Sequence, residues 1–387
     1  MINKREVGVR IGNLRRKLRY SQAEFSEIMK VSPQAVSKWE TGLSLPDIDT
    51  LLNMSWIFKT SINHILVGNG QYEDIANVGR ETLFLNNIMI CPACFHKLSI
   101  SKVNENNIVF QCVNEHKFAV VDGVVDFRTR EIIGEQWSLS LRNYDEYLHE
   151  QRSATNPNYE RGLNQVDVIW EEIQKYRPKI ILDMACGTGQ GIKHIINRIN
   201  WPVTVIMVDI SHRILKWNKI YYSTECKNPF VDMVYLACDG SNLPLPNESV
   251  DLVFSYGGYE SMQAKMMNGF REAYRVLKNG GCTVYTKSVI EDFEDDNSIR
   301  WMNLLLASVD RDEAEWWKTE FIDINQWLKN SQKVGFAENA YTKIYGELPA
   351  PNTNSFPFEN EMAQWMSEYV VTSIKRLNFK VNATFSK

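Results

Sequence analysis

At 387 residues the chain is too long for one ordinary domain and has ample length for a large core. A net charge of −4 argues against a wholly basic nucleic-acid coat, and seven cysteines, four of them standing singly, argue against a disulfide framework. With no uninterrupted apolar run of 18 residues and no signal-like start at Met1, the chain is expected to be cytoplasmic, with no membrane partner. The charge is uneven: residues 1–68 carry 10 Lys/Arg against 6 Asp/Glu, and the remainder 33 against 41. A basic head on an acidic body points to a polyanion meeting the head alone.

Residues 1–68 read as an all-α head. Val9, Ile11, Leu14 and Leu18 are expected on one helical face, with Arg10, Arg15, Arg16, Lys17 and Arg19 around the others. Ser21 and Glu24 form a capping box for a second helix; Ser32-Pro33 opens a third, Pro46-Asp47 a fourth and Ser61 a short fifth. Only Lys30-Val31-Ser32 separates the second from the third, which predicts a helix-turn-helix.

The stretch 21–42, SQAEFSEIMKVSPQAVSKWETG, resembles the lambda-repressor/Cro-like (XRE) DNA-binding domain, and the likeness covers residues 6–68. It implies that Gln22 holds a phosphate and Arg15 contacts the backbone of double-stranded DNA. Gln34 and Lys38, one turn apart, would enter the major groove, where such side chains read adenine or guanine edges. Trp39 is expected in the core. Heads of this kind read paired half-sites, so a homodimer is expected. The competing reading is a head that docks a protein partner.

Residues 69–87 read as a linker, polar from Gly68-Asn69-Gly70 onward. Residues 88–130 then hold Cys91 and Cys94 with two residues between them, seventeen more, and Cys112 and His116 with three between. That spacing lets four soft or borderline donors close on one structural Zn2+, worth on the order of 10 kcal/mol of folding energy to a unit this small. His96 is a poorer-placed competitor. Residues 90–127 resemble the zinc-ribbon units ahead of some methyltransferase domains, rRNA guanine methyltransferases among them, where the ribbon helps to hold substrate.

Residues 131–165 are expected to be a connecting helix over 136–151, with Trp137, Leu141, Tyr144, Tyr147 and Leu148 on an apolar side that either packs or covers a site as a lid. From 166 onward the pattern alternates helix and strand. The run IILDMACGTGQG (180–191) is a strand ending in Asp183, a loop with Gly187, Gly189 and Gly191, and a helix start. Such a loop lets backbone close on a flat or charged ligand. Strands follow at 203–208, ending in Asp209, at 233–237, ending before Cys238-Asp239-Gly240, at 247–256, and at 282–287. Asp209, twenty residues beyond Gly189, suits a ribose diol. An aromatic insert with Trp301, Trp316, Trp317 and Trp327 either roofs the pocket or is plain helical packing. A helix over 359–375 between strands at 338–345 and 379–386 is expected to close the domain. The fold class is therefore multidomain: an all-α helix-turn-helix head, a small zinc ribbon and an α/β doubly wound, Rossmann-like domain over 166–387.

These motifs, with Asp251-Leu-Val-Phe and Arg271-Glu-Ala-Tyr-Arg-Val-Leu-Lys-Asn-Gly-Gly, resemble class I S-adenosylmethionine-dependent methyltransferases from about 166 to 345. The resemblance implies that Asp183, Ala185, Gly187, Thr188 and Gly189 line the methionine and ribose part, that Asp209 binds the ribose hydroxyls, and that Asp239, Gly240 and Ser241 hold the adenine. Ala185 stands where many members have glycine. Candidate acid-base groups at the mouth are Tyr256, Tyr259 and Glu260, with His149 and Tyr144 from the preceding helix. Ser255-Tyr256-Gly257-Gly258 lacks the Asn/Asp-Pro-Pro-Tyr set of enzymes that methylate amino groups of nucleic acids. The expected function is a methyltransferase with a DNA-binding head and a small-molecule acceptor. The alternatives are a regulator whose body senses S-adenosylmethionine or a metabolite, and an rRNA methyltransferase.

Overall fold

The computed structural model describes residues 3–18, 20–58, 60, 62–66, 80–104, 107–128, 141–153, 164–225, 228–345 and 366–376. The head comprises α1 (Lys4–Lys17), α2 (Gln22–Met29), α3 (Pro33–Glu40), α4 (Ile48–Ile57) and α5 (Ile62–Leu66). Each of the first four starts on a side-chain cap: Asn3, Ser21 in its capping box with Glu24, Ser32 and Asp47. Val7, Ile11, Phe25, Val36, Trp39, Met54 and Ile57 form the core, where the Phe25 and Phe58 rings stack at 5.0 Å. The buried stripe of α1 is Val7, Gly8, Ile11, Gly12 and Arg15, whereas Val9 and Leu18, expected inside, are exposed. The reason is Gly8: a Cβ there would lie 2.3 Å from the Trp39 carbonyl oxygen, so α1 crosses α3 at this glycine and the phase of its inner face follows.

The described residues of the body are built on one eleven-strand sheet. Its elements are α6 (Arg80–Ile88), β1 (Ser99–Asn104), β2 (Asn107–Gln111), β3 (Lys117–Val121), β4 (Val124–Asp126), α7 (Tyr144–Ser153), α8 (Gln165–Tyr176), β5 (Ile180–Met184), α9 (Gln190–Ile196), β6 (Val203–Asp209), α10 (His212–Glu225), β7 (Val231–Ala237), β8 (Val250–Ser255), α11 (Gly258–Ser261), α12 (Met266–Val276), β9 (Leu277–Val289), α13 (Asp296–Ser308), α14 (Arg311–Glu320), α15 (Ile324–Val334), β10 (Glu338–Tyr345) and β11 (Ser367–Ile374). The spatial order is β1-β2-β3-β4-β7-β6-β5-β8-β9-β11-β10. From β4 through β9 the pairings are parallel, which puts the C-terminal ends of β5, β6, β7 and β8 along one rim. One face is covered by α8, α9 and α10 and the other by α6, α12 and α15. No helix among the described residues is long and apolar enough to cross a membrane.

Three features differ from expectation. The metal-binding stretch extends the main sheet: β4 pairs in parallel with β7, Val125 opposite Leu236 and Asp126 opposite Ala237. Residues 80–88, expected within the linker and at the edge of the ribbon, form α6, because Leu85 buries in one core with Cys91, Leu98, Phe110 and Leu236. The helix expected over 359–375 contains a strand instead: Val370, Val371 and Thr372 are β-branched and buried, and β11 lies antiparallel to both β9 and β10. The closing strand expected at 379–386, like Trp137, Arg19, Ser61 and residues 69–79 of the 69–87 linker, lies outside the described residues. In the insert, Trp301, Trp317 and Phe321 make a small core with Ile290, Leu305 and Met366, and Trp327 is fully buried.

Candidate functional site

β5 delivers the chain to the rim, where Ala185, Gly187 and Gly189 all take positive φ (49°, 52° and 77°) before α9 begins. Gly189 is required twice over: its backbone is left-handed, and a Cβ would lie 2.4 Å from the Tyr222 hydroxyl, which itself donates to the Gly189 carbonyl at 2.7 Å. The loop walls a cleft of 820 Å³ lined by Ala185, Cys186, Gly187, Thr188, Asp209, Cys238, Asp239, Gly240, Tyr256, Met262 and Lys265, among others. Asp209, at the tip of β6, accepts from the Gly187 amide at 2.9 Å and from the Ser211 amide at 2.8 Å, tying the loop to the second strand. Asp239 accepts from the Ser241 amide and hydroxyl at 2.9 and 2.7 Å and pairs with Lys265 at 2.6 Å. Burial pushes the Asp239 carboxyl up, but Lys265 and Ser241 outweigh it and hold it below the ordinary value.

Asp183, Gly189 and Ser241 are not among the cleft-lining residues. Asp183 is buried at the end of β5, and this burial, with Asp209 nearby, raises its pKa well above the ordinary range. Ser241 acts on the cleft through Asp239.

The expected acid-base set separates. Tyr256 lines the cleft and donates to the Gln165 side chain. Tyr259 points into the core, its hydroxyl 3.1 Å from Thr283 and its ring edge-on to Phe270 and Tyr285. Glu260 is 3.0 Å from the ammonium of buried Lys287, which also pairs with Glu320 at 3.1 Å, and accepts from the Ser288 amide. His149 is exposed on α7, whereas its neighbour Glu150 lines the cleft. The phase of α7 explains this: Tyr147 is buried, with its hydroxyl donating to Asn218 at 2.7 Å, and Glu150 and Gln151, three and four residues on, share its side. Tyr144 stacks on Tyr147 and tilts against Trp217. Glu150, Lys265 and Met262 were missed in the sequence; the helical phase from Tyr147 is the signal that points to Glu150.

The four metal-site candidates converge. One donor atom from each of Cys91, Cys94, Cys112 and His116 lies within 4.8 Å of all the others. The shorter edges are 3.4 Å (Cys91 and Cys112 to His116 Nδ1) and 3.6 Å (Cys94 to Cys112), near the roughly 3.8 Å edge that 2.3 Å zinc–sulfur bonds give a tetrahedron. Two turns shape the cage, with Phe95 and Glu115 left-handed and Cys91 and Cys112 donating their amides to the His96 and His116 carbonyls. His96 thus contributes backbone and is not in the cluster. The His96 amide draws the Cys94 thiol down to about 5, and burial pushes Cys91 up to about 11.

In the head, Gln34 and Lys38 are exposed one turn apart on α3. Arg15 is not available as a DNA contact. It is buried, pairs with Glu40 at 2.5 and 3.0 Å and donates to the Tyr20 carbonyl. Gln22 also donates to Glu40, at 2.8 Å.

Residues 181–281 match the methyltransferase-domain family and residues 11–65 the helix-turn-helix family. Over 214 residues the chain is 24% identical to malonyl-acyl-carrier-protein O-methyltransferase of Marinomonas sp., covering 51% of this chain and 76% of that one. It is 32% identical over 157 residues to the ubiquinone/menaquinone biosynthesis C-methyltransferase of Stenotrophomonas maltophilia, covering 39% of this chain and 56% of that one. A solved structure similar to it is Haemonchus contortus phosphoethanolamine N-methyltransferase 2 in complex with S-adenosyl-L-methionine, 14% identical with a TM-score of 0.42, covering 65% of this chain and 62% of that one.

Proposed function

We propose that this chain, which carries a methyltransferase domain behind a helix-turn-helix head, transfers the methyl group of S-adenosylmethionine to a small molecule. The observation that carries the reading is the cleft: a glycine loop, the Asp209 carboxylate at the second strand and Asp239 at the third converge on one cavity. Methyl transfer from a sulfonium needs alignment more than acid-base help, because the leaving thioether is neutral. Asp209 takes the ribose hydroxyls, and the loop backbone from Ala185 to Thr188 faces the amino-acid part.

A small acceptor is favoured by the two curated relatives, one named for malonyl-acyl-carrier protein and the other for ubiquinone/menaquinone biosynthesis. The acidic balance of residues 69–387 counts against an RNA acceptor. Cys91, Cys94, Cys112 and His116 hold a structural Zn2+, whose four protein donors leave no open position for catalysis. The head binds double-stranded DNA through Gln34 and Lys38, as a dimer on paired half-sites. None of the six cysteines described is in a disulfide, which suits a cytoplasmic protein.

The test is to incubate purified protein with methyl-labelled cofactor and cell extract, then fractionate. Label in small molecules, free or released from a carrier protein by mild base, supports the proposal, and label in nucleic acid or in protein side chains overturns the acceptor class. Tight cofactor binding with label nowhere turns the reading to a sensor.

A further inference from the structure

Helix α7 precedes the matched methyltransferase segment, yet it is fastened to the cofactor loop at several points. Glu150 Oε1 accepts from Gln190 Nε2 at 2.8 Å and lies 3.4 Å from the Thr188 hydroxyl. Gln151 donates to the Thr188 carbonyl, and the Lys193 ammonium donates to the Gln151 carbonyl at 2.8 Å. Further back, Tyr147 holds Asn218, whose amide donates to the Gly187 carbonyl at 2.9 Å. Both flanks of the loop are therefore linked to one helix.

Among the described residues, three carboxylates line the cleft: Glu150, Asp209 and Asp239. Asp209 is engaged by two backbone amides, and Asp239 by Ser241 and Lys265. Glu150 stands at the third corner, where the loop passes into α9 and where its carboxylate accepts from Gln190 and lies beside the Thr188 hydroxyl. Burial pushes the Glu150 carboxyl up against the pull of those donors, so its ionised form gains from a cation brought into the cleft. The cofactor carries two cationic groups. The sulfonium must face the acceptor and is discharged by the transfer; the ammonium of the amino-acid tail persists in the product.

We propose that the Glu150 carboxylate receives the ammonium of the cofactor's amino-acid tail, making α7 a clamp that selects the intact tail rather than the nucleoside. This rests on the S-adenosylmethionine reading above. No proton or bond is exchanged: Glu150 is a binding and positioning residue that fixes the sulfonium by holding the far end of the tail.

The test compares two ligands by calorimetry on the full chain: S-adenosylhomocysteine, which has the tail, and methylthioadenosine, which lacks it. In Glu150→Gln, S-adenosylhomocysteine is expected to bind at least tenfold more weakly, with methylthioadenosine within twofold of the wild type; Glu150→Asp recovers part of the loss. Unchanged S-adenosylhomocysteine affinity, or an equal loss of both ligands, overturns the clamp. Wild-type protein that binds neither ligand overturns the cofactor reading, and the clamp with it.

Discussion

The Ile90 amide donates to the Pro244 carbonyl at 3.0 Å, joining the residue before the first metal-site cysteine to the loop that follows β7. Asn242 reaches back to the Pro92 carbonyl at 3.4 Å, and the Phe127 amide donates to Ala237 at 2.9 Å. The 237–244 segment, which carries Cys238, Asp239 and Gly240, is thus held by the metal unit at both ends. With the proposed Zn2+ bound at Cys91, Cys94, Cys112 and His116, its removal by a chelator is expected to weaken S-adenosylhomocysteine binding about tenfold, or about 1.4 kcal/mol. Calorimetry before and after zinc is restored checks it. An affinity indifferent to zinc would show that the two sites are not linked.

In the head, Arg15 and Glu40 form a buried pair, and removing one partner leaves the other charge without compensation. Arg15→Ala is expected to destabilise the head by about 3–5 kcal/mol. The readout is faster amide exchange in α1 and α3 of the full chain. Lys38→Ala should leave exchange unchanged and weaken DNA binding by about 1–3 kcal/mol. Glu40 also sets a pH dependence. Burial raises its pKa, but Arg15 and Gln22 outweigh burial and hold the folded value below the ordinary one. The contribution is therefore present above the ordinary carboxylate range and lost as pH falls through the folded value. Exchange in α1 that does not quicken on acidification would contradict this.

The helix caps, the left-handed Gly187 and Gly189 loop, Asp209 at the tip of β6 and the Cys91, Cys94, Cys112 and His116 cluster were legible because each is a local pattern with a fixed chemical reason. Long-range geometry was not. The inner face of α1 depends on a carbonyl of α3 against Gly8, and the fate of Arg15 depends on Glu40, 25 positions away. The fusion of the metal unit to the sheet rests on a two-residue pairing between β4 and β7, too short to leave a pattern. His149 and Glu150 are neighbours in sequence, and only the phase set by Tyr147 against Asn218 separates solvent from cleft. Alternation within Ser367–Ile374 is masked because both faces of β11 are buried, as a central strand requires.

Gly189 and Tyr222 form a lock on the cofactor loop. Gly189→Ala is expected to weaken S-adenosylhomocysteine binding by more than tenfold, since the left-handed backbone alone costs about 1–2 kcal/mol with a Cβ and the Tyr222 hydroxyl must also move. Tyr222→Phe leaves the Gly189 carbonyl without this donor and should lower stability by about 1–3 kcal/mol. Combining the two removes the hydroxyl clash but not the backbone strain, so affinity in the double variant stays below that of Tyr222→Phe. Full recovery would mean that the clash, not φ, requires the glycine.

Lys287 lies 4.9 Å from the centre of the Trp327 ring, between Glu260 after β8 and Glu320 at the end of α14. Burial lowers its pKa, yet the two carboxylates more than restore it, so the ammonium stays charged. Lys287→Met strands two carboxylates and is expected to destabilise the body by about 3–5 kcal/mol. Adding Glu260→Gln and Glu320→Gln should return most of that loss, because neutral groups remove the uncompensated charge. Thermal melting of the full chain and both variants checks the order: wild type and triple variant close together, single variant well below. A triple variant as unstable as the single one would show that Lys287 acts through packing on Trp327, and the electrostatic account of this junction would fall.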